Sequence, residues 1–129
     1  SVLWGASGHS ILAHLPPERV RSLLKKEPVS PSGLPALPLR ELNKELAQIR
    51  RVGYSVSKRG EKIEGAAGIS APIFGTGGNV IACFSLFIPR MRYPEEREEE
   101  LAALVVKEAV SLSDVLAGRM RQSDPQSAE

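Results

Sequence analysis

The sequence has little of what marks a secreted or membrane protein. Cys83 is its one cysteine, so no disulfide can form within the 129 residues, and we expect a reducing cytoplasm. No apolar run is long enough to span a bilayer, and no basic start followed by an apolar segment and a cleavage site indicates a signal peptide. The chain also lacks an initial methionine, and its opening Ser-Val-Leu-Trp is typical of the end of a strand. We therefore expect a piece of a longer protein.

An excess of one charge is also missing. Seventeen basic and 15 acidic residues leave a net charge of +2, which favours neither a nucleic acid nor a membrane as partner of these residues. With 42% hydrophobic and 25% charged residues, the composition is that of an ordinary globular domain. No metal or cofactor is predicted, because His9 and His14 do not have the i, i+4 spacing of helical metal ligands.

Four helices are predicted. Ser7 is a candidate cap for a first helix that ends before Pro16, and Pro17–Lys26 has proline in its first turn and lysines in its last. Residues 27–38 contain four prolines and are predicted to be a loop. A third helix, Leu39–Arg51, closes at Gly53, and a fourth runs from Pro94 to Gly118. Apolar stripes at helical spacing support the last two: Leu39, Leu42, Leu46 and Ile49, then Leu101, Leu104, Val105, Ala109, Leu112, Val115 and Leu116.

Three strands are predicted beside these helices. A short strand near Tyr54–Lys58 precedes a hairpin, Ile69–Phe74 and Asn79–Ile88, joined by the turn Gly75–Gly78. Hairpin strands are antiparallel, so we predict an α+β domain over residues 1–121, with helices against one sheet and a disordered tail over 122–129. The first strands of the sheet are expected to lie outside this sequence, which would leave an exposed edge.

Small residues on the hairpin suggest a ligand pocket. Because side chains alternate along a strand, Ile81, Cys83, Ser85 and Phe87 share one face, and Val80, Ala82, Phe84, Leu86 and Ile88 share the other. On the paired strand, Gly68, Ser70 and Pro72 share a face. The uniformly apolar set is predicted to be core. The mixed set, with a thiol and hydroxyls, is typical of a pocket with few polar groups.

Three segments resemble the C-terminal effector-binding domain of the IclR family of bacterial transcriptional regulators. They are GASGHSILAHL (5–15), LAQIRRVGYSVSKRGEKIEGAAGISAPIF (46–74) and GGNVIACFSL (77–86). The resemblance implies a GAF-like antiparallel sheet that binds a small molecule. It also implies DNA binding by a winged helix-turn-helix domain absent from this sequence, and a homodimer or homotetramer.

The resemblance also implies the positions of the effector site. Family contacts map onto Ala6, Ser7, Lys58, Ala66, Gly68, Ser85 and Phe87, to which strand parity adds Ser70 and Cys83. Lys58 stands where some relatives have an acidic residue, and Phe87 where they often have serine. With free N–H groups at the start of the first helix, these positions suggest a small organic acid as the effector, with aromatic acids among the candidates.

Two other classes of function are left open by the sequence. In an enzyme, Cys83 with His9 or His14 would form a thiol–imidazole pair, but the usual reductive chemistry of GAF-like enzymes needs a second cysteine. We therefore predict that the protein is not an enzyme. A module for oligomerisation alone, built on the last helix, is the third alternative.

Overall fold

The structure, a computed structural model, describes residues 1–123, with side chains to residue 118. Its helices are α1 (Gly5–Leu12), α2 (Pro17–Lys26), α3 (Leu39–Val52) and α4 (Glu98–Ser123). Its strands are β1 (Ser55–Ser57), β2 (Ala66–Phe74) and β3 (Val80–Pro89). The three strands form one antiparallel sheet in the order β1-β2-β3, which confirms the predicted α+β fold class.

The two faces of the sheet pack against different helices. Alternate residues of β2, from Ala67 to Ile73, are buried against Ala102, Val105 and Ala109 of α4. The opposite face carries Ser70, whose hydroxyl lies beside Ser10 of α1. Small side chains on α4 let this long helix lie close to the sheet. The predicted alternation of faces is confirmed, and it leaves the mixed polar face under α1.

A second cluster of apolar side chains holds α1 in place. Leu12 of α1 is fully buried with Leu3 and Trp4, which precede the helix. The predicted apolar stripe of α3 contributes Leu42, Leu46 and Ile49, and α2 contributes Val20. Gly53 ends α3 with φ at +88°, the left-handed conformation that glycine adopts without steric cost. The predictions for α2 and α3 are confirmed, although Leu39 is exposed.

Two predictions about α1 are wrong. The helix begins at Gly5, two residues before Ser7, and Ser7 does not cap it. Instead, the Ser7 carbonyl accepts a hydrogen bond from Ser10 Oγ at 2.8 Å. The helix also ends at Leu12 rather than continuing to Leu15, because the following segment already turns towards Pro16.

Both ends of α4 also differ from the prediction. A short 3₁₀ turn, Glu95–Arg97, precedes the helix, which begins at Glu98. Gly118 does not end it: the glycine keeps a negative φ and the helix continues to Ser123. Residues 124–129 of the predicted tail lie outside the described residues. Leu104, Leu112 and Val115 are exposed rather than part of the sheet-facing stripe.

The hairpin is longer than predicted and contains one irregularity. The strand β2 begins at Ala66 rather than Ile69, and β3 extends to Pro89. The register shifts between Ile73 and Phe74, so that Phe74 pairs with Val80 and Ile81 is skipped. Val80 therefore leaves the predicted core set, whereas Ala82, Phe84, Leu86 and Ile88 stay in it.

Candidate functional site

A chain of hydroxyl groups runs across the polar face of the sheet. Ser70 and Ser85 are directly opposite on β2 and β3, and their Oγ atoms lie 2.7 Å apart. Ser10 of α1 lies on the other side of Ser70, at 3.1 Å, and both of these serines are fully buried. Cys83 lies at the end of this row of hydroxyl groups, with its Sγ atom 3.6 Å from Ser85 Oγ. A hydroxyl group can both donate and accept a hydrogen bond, so the hydroxyl groups of this row serve as hydrogen-bond partners for one another.

Close packing around Gly68 brings α1 and β3 together at one end of this face. A Cβ atom at Gly68 would lie 3.2 Å from the Ala6 methyl group and 3.4 Å from the Phe87 ring. The absence of a side chain lets both neighbours lie close to the strand, and a Cβ atom would require one of them to shift. Phe87 is also directly opposite Gly68 in the register, yet 52% of it is exposed. The ring covers this end of the face while remaining free on its outer side.

Lys62 reaches this site from the loop between β1 and β2. Its Nζ atom donates a hydrogen bond to Ser7 Oγ at 3.1 Å, and its methylene groups lie 3.6 Å from the position of a Cβ on Gly5. Gly60 and Gly65 flank the loop with φ near +70°, which allows the tight return that carries Lys62 back to α1. The lysine therefore places an ammonium group beside the first turn of α1.

The space between these groups is small in this structure. Its lining includes Lys62, Ala66, Gly68 and Phe87, and its volume is about 20 Å³, which is room for one water molecule. Glu61 lines it as well, with a buried carboxylate 3.6 Å from the Arg59 guanidinium. We call this space, with Ser7 beside it, the α1 cleft.

Eight of the nine residues predicted for the effector site are therefore on or beside one face of the sheet. Ala66, Gly68 and Phe87 line the α1 cleft, and Ala6 and Ser7 lie beside the lining residues Gly68 and Lys62. Ser70, Cys83 and Ser85 form the adjoining row of hydroxyl and thiol groups. The sequence reasoning missed Lys62 and Ser10. Ser10 follows Ser7 by three residues and so shares its side of the helix, whereas Lys62 could be found only from its flanking glycines.

Lys58 is the ninth residue, and the structure does not bring it to the α1 cleft. Its Nζ atom lies 2.6 Å from Glu95 and 2.9 Å from Glu98, at the start of α4. The hydrogen bond to Glu95, followed by that to Glu98, raises the pKa of Lys58. The alternation of side chains along a strand explains this placement. Lys58 is two residues after Val56 and so lies on the same side of the sheet, which faces α4.

Tyr93 completes the group of side chains around Lys58. Its hydroxyl donates to Glu98 Oε1 at 2.7 Å, and the Lys58 ammonium lies 4.8 Å from the centre of its ring. Burial, together with the neighbouring Glu98, raises the pKa of the Tyr93 hydroxyl above its usual value. These contacts fasten the end of β1 to the start of α4.

Neither histidine forms a pair with the Cys83 thiol in this structure. The ring of His9 is buried, with Nε2 2.8 Å from the Leu3 carbonyl oxygen and Nδ1 3.4 Å from Glu45. The His14 ring lies edge-on to Phe74, with centroids 5.1 Å apart. Through residue 123, no group of three or more acidic, histidine or cysteine side chains is placed to hold a metal ion. No helix of that same region is both long and apolar enough to cross a membrane.

The sequence is similar to that of known regulators. Residues 2–114 match the family described as "Bacterial transcriptional regulator IclR C-terminal". The probable HTH-type transcriptional regulator ArcR of Halobacterium salinarum is 34% identical over 110 residues, which cover 81% of this chain and 40% of ArcR.

The fold is similar to solved structures of the same kind. The repressor BlcR of Agobacterium tumefaciens matches with a TM-score of 0.76 and 27% identity, over 90% of this chain and 47% of BlcR. The Thermotoga maritima IclR matches with a TM-score of 0.75 and 31% identity, over 91% of this chain and 47% of that one. The chain thus spans less than half the length of each of these three relatives.

Proposed function

This chain belongs to the IclR family of bacterial transcriptional regulators, as part of their C-terminal domain, and we propose that its α1 cleft binds a small organic acid. Effector binding is the regulatory task of such a domain, and the polar face under α1 supplies the groups for it. The ligand class follows from the charge at the cleft.

The position of the Lys62 ammonium group is the observation on which this proposal rests. Its ammonium group lies beside the Ser7 hydroxyl and the first turn of α1, and it has no carboxylate within 4 Å in the described part of the chain. An ammonium group, a hydroxyl and the free N–H groups of a helix start all favour a bound anion. Glu61 does not neutralise the site, because its carboxylate is paired with Arg59. A carboxylate is the anion that fits this set of donors in a small organic effector.

Phe87 is the side chain that has to move to admit the ligand. The present space of about 20 Å³ holds a water molecule, whereas ligand pockets usually measure several hundred Å³. Half of the Phe87 surface is already exposed, so rotating the ring away from Gly68 displaces no tightly packed neighbour on its outer side. The rotated ring then provides an apolar wall beside the hydroxyl chain, a surface suited to an aromatic acid.

The wider function follows from the family. We infer that ligand binding here controls a DNA-binding domain elsewhere in the parent protein, in the cytoplasm and in a homodimer or homotetramer. The relatives are named as transcriptional regulators and repressors, not as enzymes. His9 and His14 have other neighbours, so an enzymatic thiol–imidazole pair has no support from the geometry.

Thermal shift with matched anionic and neutral probes tests the proposal. Benzoate is expected to raise the melting temperature of the wild-type chain, because it binds the folded state, whereas the isosteric neutral benzamide is expected not to. Lys62→Gln is expected to reduce the benzoate shift and Lys58→Gln to keep it. Pyruvate serves as a smaller anionic probe in the same series. A shift with benzamide equal to that with benzoate, or a loss on Lys58→Gln alone, would contradict the proposal.

A further inference from the structure

A second and larger cleft lies at the opposite end of β2. It has a volume of about 480 Å³ and is bounded by the segment after α1, the end of α3, the end of β2 and the middle of α4. Its walls are mostly apolar, with Phe74, Val106 and Val110 among them. The polar groups on its lining belong to His14, Arg50 and Ser113. We call this space the α4 cleft.

One buried polar atom near the α4 cleft has no partner, although it is not accessible from the cleft. The Nε2 atom of His14 is inaccessible to solvent and makes no hydrogen bond. Burial, and then the positive charge of Arg50, lower the pKa of His14 from its usual value. A buried polar group without a partner costs free energy, and native structures rarely keep one without a reason.

Arg50 gives the α4 cleft a positive charge. One of its guanidinium nitrogens, Nη1, donates to the Ala13 carbonyl oxygen at 2.9 Å, which fixes the side chain over the end of α1. No carboxylate lies within 4 Å of this guanidinium in the described part of the chain. Its other donors remain available, and a guanidinium fork is well suited to a carboxylate.

The strand edge beside the cleft offers few N–H donors to another strand. The short β1 pairs with β2 only from Gly68 to Ser70, so the edge from Ala71 to Phe74 has no neighbouring strand there. Proline at position 72 has no N–H to donate, and the Phe74 N–H already donates to Ser113 Oγ at 3.0 Å. A peptide adding itself as a strand would find no N–H donors at these two positions. This disfavours an added strand, and the volume of the cleft favours a small molecule as the occupant.

We propose that the α4 cleft is a second ligand site, for a small carboxylic acid with an apolar body. The carboxylate pairs with Arg50, and the apolar body lies against Phe74 and Val110. The volume is in the range of small-molecule pockets. This site is separate from the α1 cleft, which lies at the other end of β2 and has Lys62 as its cation.

Octanoate is the probe for this site, because its apolar chain fills more of the cleft than a small effector could. Its binding is followed by methyl NMR, with octanamide as the neutral control. Octanoate is expected to shift the methyl signals of Val106 and Val110. Arg50→Gln is expected to weaken binding about tenfold or more, since a hydrogen bond to a charged group contributes enough free energy for such a change in affinity. Val110→Trp alters a half-exposed residue that need not disturb the fold, and it is expected to block the cleft.

Lys62→Gln separates this proposal from the first. It is expected to leave octanoate binding unchanged, because Lys62 belongs to the α1 cleft. Equal affinity for octanamide would overturn the proposal. It would also be overturned by unchanged Val110 signals, or by octanoate affinity that falls with Lys62→Gln and not with Arg50→Gln. A chain that fails to respond to benzoate while binding octanoate in this way would overturn only the proposal for the α1 cleft.

Discussion

Ser70 and Ser85 face each other across neighbouring strands, with their hydroxyl oxygens 2.7 Å apart. Ser70 also reaches the Phe84 carbonyl oxygen at 3.2 Å and lies 3.1 Å from Ser10, so this one hydroxyl connects two strands and a helix. Buried hydroxyls such as those of Ser10 and Ser70 need such mutual partners. Because these hydroxyls are partners for one another, the polar face beneath α1 costs little free energy of folding. The α1 cleft lies beside that face.

Replacing Ser70 is expected to destabilise the fold. Ser70→Ala removes the central hydroxyl and leaves Ser85 without its closest partner, so we expect a loss of about 1–2 kcal/mol in the free energy of unfolding. Urea denaturation measures it, with the exposed Ser111→Ala of α4 as the control. A loss equal to that of the control would show that the hydroxyl chain contributes nothing to stability.

Gly8 and Gly118 are expected to respond to alanine in opposite directions. A Cβ atom at Gly8 would lie 2.7 Å from the Val2 carbonyl oxygen, so Gly8→Ala is expected to cost about 1–3 kcal/mol through overpacking. Gly118 lies within α4 with nothing inside 4 Å of its Cβ position, so Gly118→Ala is expected to add about 0.5–1 kcal/mol. Thermal unfolding of both variants checks the pair. Destabilisation by both would contradict the helical placement of Gly118.

The contacts of Lys58 are expected to stabilise the fold in a pH-dependent way. Hydrogen bonds from Lys58, and then from Tyr93, hold the pKa of Glu98 below its usual 4.5. A lowered carboxyl pKa stabilises the fold at neutral pH, and the stabilisation is lost as the pH falls through that lowered value. Lys58→Met is thus expected to lower the melting temperature at pH 7 and to have a much smaller effect near pH 3.

Lys107→Met is the matched control for that experiment. Lys107 is exposed on α4 and has no carboxylate within 4 Å in the described part of the chain, so its replacement is expected to change little at either pH. A decrease for Lys58→Met that is the same at both pH values would indicate lost packing rather than lost ion pairs.

Phe87 is expected to set the size of acid that the α1 cleft accepts. Phe87→Ser removes a ring that lies against Gly68 but is half exposed, so stability should change by less than a buried Phe would cost, which is about 3–5 kcal/mol. Calorimetry is expected to show that 2-naphthoate binds this variant better than it binds the wild type. Identical affinities in the two proteins would mean that the ring is not part of the wall.

Local patterns in the sequence predicted much of this fold. Proline and lysine marked the two ends of α2, Gly53 marked the end of α3, and strand alternation separated Ile69 from Ser70. The prediction of a helix cap at Ser7 is wrong because serine is a typical capping residue, whereas the helix starts at Gly5. The positive φ of Gly5 is seen only in the folded chain. The prediction that α4 ends at Gly118 is wrong because the sequence does not distinguish a glycine within a helix from one that ends it.

The site was predicted less completely than the fold, since it depends on contacts between distant segments. Gly68, Ser70, Ser85 and Phe87 lie within one hairpin, so alternation and register placed them together. Lys58 and Lys62 are four residues apart in the same charged stretch, and only the glycines that flank Lys62 distinguish the two in the sequence. The two glycines around Lys62 and the two acidic partners of Lys58 decide in three dimensions which of them turns towards α1.

Mapping benzoate binding by ¹H–¹⁵N NMR on the whole chain tests the central claim most directly. The account predicts shifts for the backbone signals of Ser7, Lys62, Gly68 and Phe87, with little change at Glu95 and Glu98 beside Lys58. Benzamide at the same concentration is expected to leave all of these signals in place. Benzoate shifts centred on Lys58, or an absence of shifts around Gly68, would contradict the assignment of the α1 cleft as an organic-acid site.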